Sequence, residues 1–136
     1  MLTREAEQTL RIVQHLALPE ILQSGSTAMA IHNELGIPGV LLRGILRRLT
    51  LAGIINSRRG RVGGVNLVES ALRLRLLDVL NAVDSGKARC NPRLWDADST
   101  QKADDPVRAL FIKAQEKAHD VFAGVTVSQL ATRAGK

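Results

Sequence analysis

Residues 58–64 read Arg-Arg-Gly-Arg-Val-Gly-Gly, three arginines and three glycines in seven positions. Guanidinium groups are planar forks of N–H donors that match phosphate oxygens and the acceptor edge of guanine. Glycine lets a backbone come close to whatever surface it meets. Upstream, Arg43 and Arg47 stand four apart, so on a helix they project from one face, with Arg48 on its flank. Between Gly36 and Leu77 there are eight arginines and one acid, Glu69, whereas the whole chain has 19 basic and 13 acidic residues and a net charge of +6. The positive excess is therefore one local patch made of arginine. Such a patch is suited to a polyanion, and double-stranded nucleic acid is the expected partner. An anionic membrane surface would call instead for lysines or a cationic amphipathic helix.

Other chemistry is sparse. No Ser-His-Asp set, phosphate loop or cysteine pair appears, and His32-Asn33-Glu34 lacks the cysteine pair a zinc deaminase needs, so an enzyme is not expected. Cys90 is the single cysteine, which excludes an intrachain disulfide. Lys87, Arg89 and Arg93 surround it with positive charge that favours the reactive thiolate. No apolar run approaches a membrane span and MLTREAEQ does not read as a signal peptide, so the expected address is the cytoplasm.

The elements that must position the arginines are legible from periodicity. Ala6, Leu10, Val13 and Ala17 predict a helix over 3–18, stopped by Pro19. After a turn at 24–27, residues 28–35 predict a short helix closed by Gly36. Pro38 fits the first turn of the next helix, which runs to about Ala52. Its Leu42, Ile45, Leu46 and Leu49 recur at i, i+3, i+4 and i+7 and face a core, while Arg43 and Arg47 face outward. Two helices around a tight turn, the second with a basic outer face, form a helix-turn-helix. Two short β-branched runs, 54–57 and 65–68, flank the arginine–glycine stretch and predict a hairpin, the wing, with Arg58, Arg59, Arg61, Gly63 and Gly64 at its tip.

A further helix is expected over 72–84 and a long surface loop over 85–105, with Trp95 anchoring it. Asp105-Pro106 then opens a helix whose Val107, Leu110, Phe111, Ala114, Ala118, Val121 and Phe122 form a continuous apolar stripe, suited to a second subunit or, alternatively, to docking on its own domain. Residues 126–132 are expected to be a short final turn, and His15 and His119 to be surface or interface residues. The fold class is mainly α with a small β-hairpin wing: a winged helix-turn-helix over 1–84, a sensor or linker loop over 85–105, and a dimerisation helix with its tail over 106–136.

In this order, the strings GIPGVLLRGILRRLTLAGIINSRRGRVGGVNL at 36–67 and LRLLDVLNAVD at 74–84 resemble the Rrf family of bacterial winged-helix repressors, of the IscR, NsrR, RirA and CymR type. The resemblance covers nearly the whole chain. It implies a homodimer that binds a palindromic operator through the helix at 38–52 and the wing. It also implies a sensor, because many members hold an iron–sulfur cluster on three cysteines in the loop before the last long helix. Here Cys90 matches the first of the three, but Asp96, Asp98 and Lys102 stand near the other two, so the usual site cannot form. Cys90 then has four readings: an inert thiol, a redox-sensing thiol, one ligand of an atypical cluster or metal site shared between subunits with Glu7 and His32, as the resemblance implies, or a haem ligand. The cofactor is accordingly none or an atypically ligated iron–sulfur cluster. The expected function is sequence-specific DNA binding by a transcriptional regulator, a repressor by resemblance. The alternative is a protein-interaction winged helix controlled by a regulatory partner, with weak DNA binding.

Overall fold

The computed structural model describes residues 4–58, 64–84 and 105–134. Helix α1 (Arg4–Leu16) buries Ile12, Val13 and Leu16, and Pro19 ends it as expected. That proline also opens a second helix, α2 (Pro19–Ser24), which replaces the expected connecting segment: Pro19 occupies the first helical position, where its missing N–H costs nothing. Gly25 (φ 77°) follows, packed so tightly on Asn66 that an added Cβ would lie 2.6 Å from its Nδ2. The chain then runs antiparallel to the wing, with Ser26 N–H donating to the carbonyl of Val65 at 2.9 Å.

Helix α3 (Ala28–Leu35) spans the expected residues, with the Thr27 hydroxyl accepting the Ala30 N–H at its start. Gly36 closes it in the left-handed conformation (φ 67°), which only glycine adopts without strain. Helix α4 (Gly39–Leu51) begins one residue after Pro38, which is its N-cap and not part of its first turn. Strands β1 (Ile55–Ser57) and β2 (Val65–Leu67) pair antiparallel, Ile55 opposite Leu67 and Ser57 opposite Val65, and form the wing.

The helix expected over 72–84 is shorter. A 3-10 turn (Glu69–Arg73) precedes α5 (Leu76–Asp84), because the backbone between them pairs elsewhere: Leu76 N–H donates to Val125 and Val127 N–H donates to Leu74. Helix α6 (Pro106–Ala123) follows its Asp105 cap, whose carboxylate accepts the Val107 N–H at 3.0 Å. The expected final turn is instead a two-turn helix, α7 (Val127–Ala134), packed against α1. Val127 is fully buried there, Ala131 nearly so, and Gln14 donates to the carbonyl of Leu130. The sequence pattern understated this element because two small buried residues a turn apart carry little periodic signal. His15, expected at a surface or interface, is buried on α1.

One core cluster joins all of this, from Ile12 and Val13 through Ile31, Ile37, Leu42, Ile45 and Leu49 to Leu67, Val79 and Val127. Since α7 contributes to it, Val127→Ala is expected to lower unfolding free energy by about 2 kcal/mol, measured by urea titration.

Candidate nucleic-acid interface

Helix α4 presents two opposite faces. Leu42, Ile45, Leu46 and Leu49 are buried against α3, α1, α5 and β1. Arg43 and Arg47 are exposed on the far side, together with Val40 at 80% and Leu51 at 77% exposure. Isolated apolar side chains at a surface are ordinary, but Val40 lies in the first turn of the helix, three residues before Arg43, on the basic face. An aliphatic group there suits the methyl group of thymine. Sequence reasoning passed over Val40; its signal was an apolar residue falling off the 42/45/46/49 stripe.

Arg48 has a different situation. Its guanidinium pairs with the Glu5 carboxylate, so it ties α4 to the first turn of α1. No charge pattern in the sequence predicts an ion pair across 43 positions. Pro38 is exposed at the entry of α4. In the wing, Arg58 is exposed where β1 ends, and its N–H donates to the carbonyl of Gly64 at 2.9 Å, which closes the loop end of the strand pair. Arg59, Arg61 and Gly63 lie outside the described residues.

The turn between α3 and α4 is held by His32. Its Nδ1 lies 2.6 Å from the carbonyl oxygen of Ile37, a residue wholly buried between the two helices. A carbonyl only accepts, so Nδ1 carries the proton and donates. The Gly36 N–H donates in turn to the His32 carbonyl at 2.9 Å.

These elements, a helix-turn-helix followed by a two-stranded wing, agree with comparison to known proteins. The family model Rrf2, described as iron-dependent transcriptional regulator, matches residues 2–133. The chain belongs to the Rrf2 family. Among solved structures it is similar to CymR of Staphylococcus aureus (20% identity over 95% of this chain and 96% of that one, TM-score 0.73). It is also similar to CymR of B. subtilis, called there the global cysteine regulator (18% identity, 98% and 97%, TM-score 0.75). A third is IscR of T. potens (16% identity, 98% and 88%, TM-score 0.74). At these identities the likeness establishes the winged-helix fold. Comparison by sequence with curated proteins finds no match.

The Rrf2 description names iron; of the expected Glu7, His32 and Cys90 set, only Glu7 and His32 are among the described residues. Glu7 pairs with Arg11 at 2.7 Å and His32 is engaged by Ile37. Among the described residues no three His, Cys, Asp or Glu side chains come together. Cys90, on which the thiol-sensor, cluster and haem expectations rest, lies outside them. Glu7 instead borders an open cleft of about 530 Å³ whose apolar walls include Leu10, Leu80, Phe122 and Leu130. On α6, Ala114, Ala118 and Phe122 are half-buried, whereas Val107, Leu110, Phe111 and Val121 are exposed.

The His32 bond can be tested by which nitrogen is replaced. Asparagine sets an N–H donor near the Nδ1 position, and glutamine sets one near Nε2. His32→Asn is expected to melt close to the parent, and His32→Gln and His32→Ala to lose about 0.5–1.5 kcal/mol, read by thermal unfolding.

Proposed function

We propose that the chain is a sequence-specific DNA-binding transcriptional regulator, a repressor, that acts as a homodimer on a palindromic operator. The observation that carries this is the face of α4 opposite its buried stripe, where Val40, Arg43 and Arg47 stand exposed, as Arg58 does at the end of β1. Membership of a family of transcriptional regulators supports it. In this reading α4 enters the major groove: Arg43 and Arg47 reach base edges and Val40 meets a thymine methyl. Arg58 and the wing arginines Arg59 and Arg61 neutralise phosphates or enter a narrow minor groove. Arg48, engaged by Glu5, holds the helix in place, its charge balanced by the carboxylate.

The dimer is proposed through α6, whose Val107, Leu110 and Val121 are 58%, 68% and 65% exposed on one helix. So much aliphatic surface along 18 residues is a contact surface by its composition. A two-fold dimer would set two α4 helices one helical turn of DNA apart, about 34 Å.

Binding to duplexes selected from a random library tests the DNA reading. Arg43→Ala or Arg47→Ala is expected to cost about 1–3 kcal/mol and to relax preference at one base pair. Arg58→Ala is expected to weaken all duplexes alike and to reduce the log–log salt slope by roughly one unit. A chain that selects no duplex and shows no salt slope is instead a protein-interaction module.

Light scattering tests the assembly. The parent is expected to be a dimer at micromolar concentration. Leu110→Glu combined with Val121→Glu is expected to give folded monomers with weaker operator binding, because neither side chain belongs to the core.

A further inference from the structure

Gly44 stands in the middle of α4, where glycine is the costliest residue after proline, since it gives up the most backbone freedom and packs nothing. No conformational demand explains it, because its φ is not among the positive glycine values at Gly25, Gly36 and Gly53. Nor does crowding. Among the described residues, a Cβ added at Gly44 would meet only Nη2 of Arg48, at 3.8 Å, an ordinary van der Waals contact. Gly25 is the opposite case, held by both its φ and its contact with Asn66.

Position decides between a wasted residue and a used one. Gly44 lies off the stripe of Leu42, Ile45, Leu46 and Leu49, one turn after Val40 and three residues before Arg47. It is therefore on the outer side of the helix, half-buried between Val40 and Arg48 and next to Arg47 on the side away from Arg43. The reason for the missing side chain lies outside the chain, with whatever that face meets. We propose that Gly44 is a specificity-determining residue that lets the backbone of α4 settle close to the base edges of the major groove. This rests on the DNA-binding reading above. The long Arg43 and Arg47 then reach the bases alongside a short strip made by Val40 and Gly44. A methyl group at Gly44 holds the helix off and lengthens the hydrogen bonds of both arginines, which weaken steeply with distance.

The inference predicts effects of opposite sign from one substitution. Gly44→Ala removes a helix penalty, so its melting temperature is expected to rise by roughly 2–5 °C. Its affinity for the duplex that the parent selects from a random library is expected to fall on the order of ten-fold, the scale of one bidentate base contact. Affinity for a scrambled duplex, which depends on phosphates, is expected to change little. A variant that melts higher and binds the selected duplex as tightly as the parent overturns the inference and leaves the DNA reading standing. A variant that melts lower also overturns it, by revealing an internal need for glycine. A parent that selects no duplex removes both.

Discussion

The arrangement depends on the burial of one apolar stripe. Leu42, Ile45, Leu46 and Leu49 are each at most 9% exposed, and α1, α3, α5 and β1 all converge on the helix that carries them. Each such side chain taken from water contributes about 1.5–3 kcal/mol. A rotation of α4 that brought Arg43 or Arg47 inward would lose this and would bury an unpaired guanidinium as well. The exposed face is thus defined by what cannot be exposed, and the stripe is what aims the arginines outward.

Around that constraint the structure adds local fixings. Gly36 turns the chain in a conformation other residues resist, Ile37 plugs the space between α3 and α4, and the imidazole of His32 satisfies the Ile37 carbonyl. Thr27 caps one end of α3 and Glu5 holds Arg48 of α4 from the side. None of these is large: a hydrogen bond or exposed ion pair contributes on the order of 1 kcal/mol or less. Their effect is geometric: they fix the orientation of α4 on the core more than they add to stability. Val65, bridged to Ser26 on one side and to Ser57 on the other, does the same for the wing.

The C-terminal part divides its surfaces between two tasks. Phe122 and the α7 residues Val127 and Ala131 turn toward the core, and Arg75 reaches the carbonyl of Ala123. Leu110 and Val121 turn away from it. The helix that displays the apolar surface is in this way anchored at its C-terminal end to the body that carries α4. Leu74–Leu76 and Val125–Val127 are hydrogen-bonded to each other, and α5 packs on both α6 and α4.

The helix-turn-helix was legible in the sequence because its signals are local: a glycine at a C-cap, a proline at an entry, and a stripe repeating at 3.6 residues. The bounds of α3 and α6 and the pairing of β1 with β2 follow from such signals within a few residues of themselves. So does the exposure of Arg43 and Arg47, since a helix that buries Leu42, Ile45, Leu46 and Leu49 has one outer face. What the linear chain left open depends on contacts between distant segments. Arg48 reads as one more outward arginine until Glu5 is brought beside it, and nothing near His32 in the sequence shows that its ring bonds the Ile37 carbonyl. Residues 72–75 carry a helical pattern, yet Leu74 and Arg75 pair with a strand-like segment some 50 positions on. In each case the deciding partner is remote in sequence, and local periodicity carries no information about which remote group the fold places at hydrogen-bonding distance.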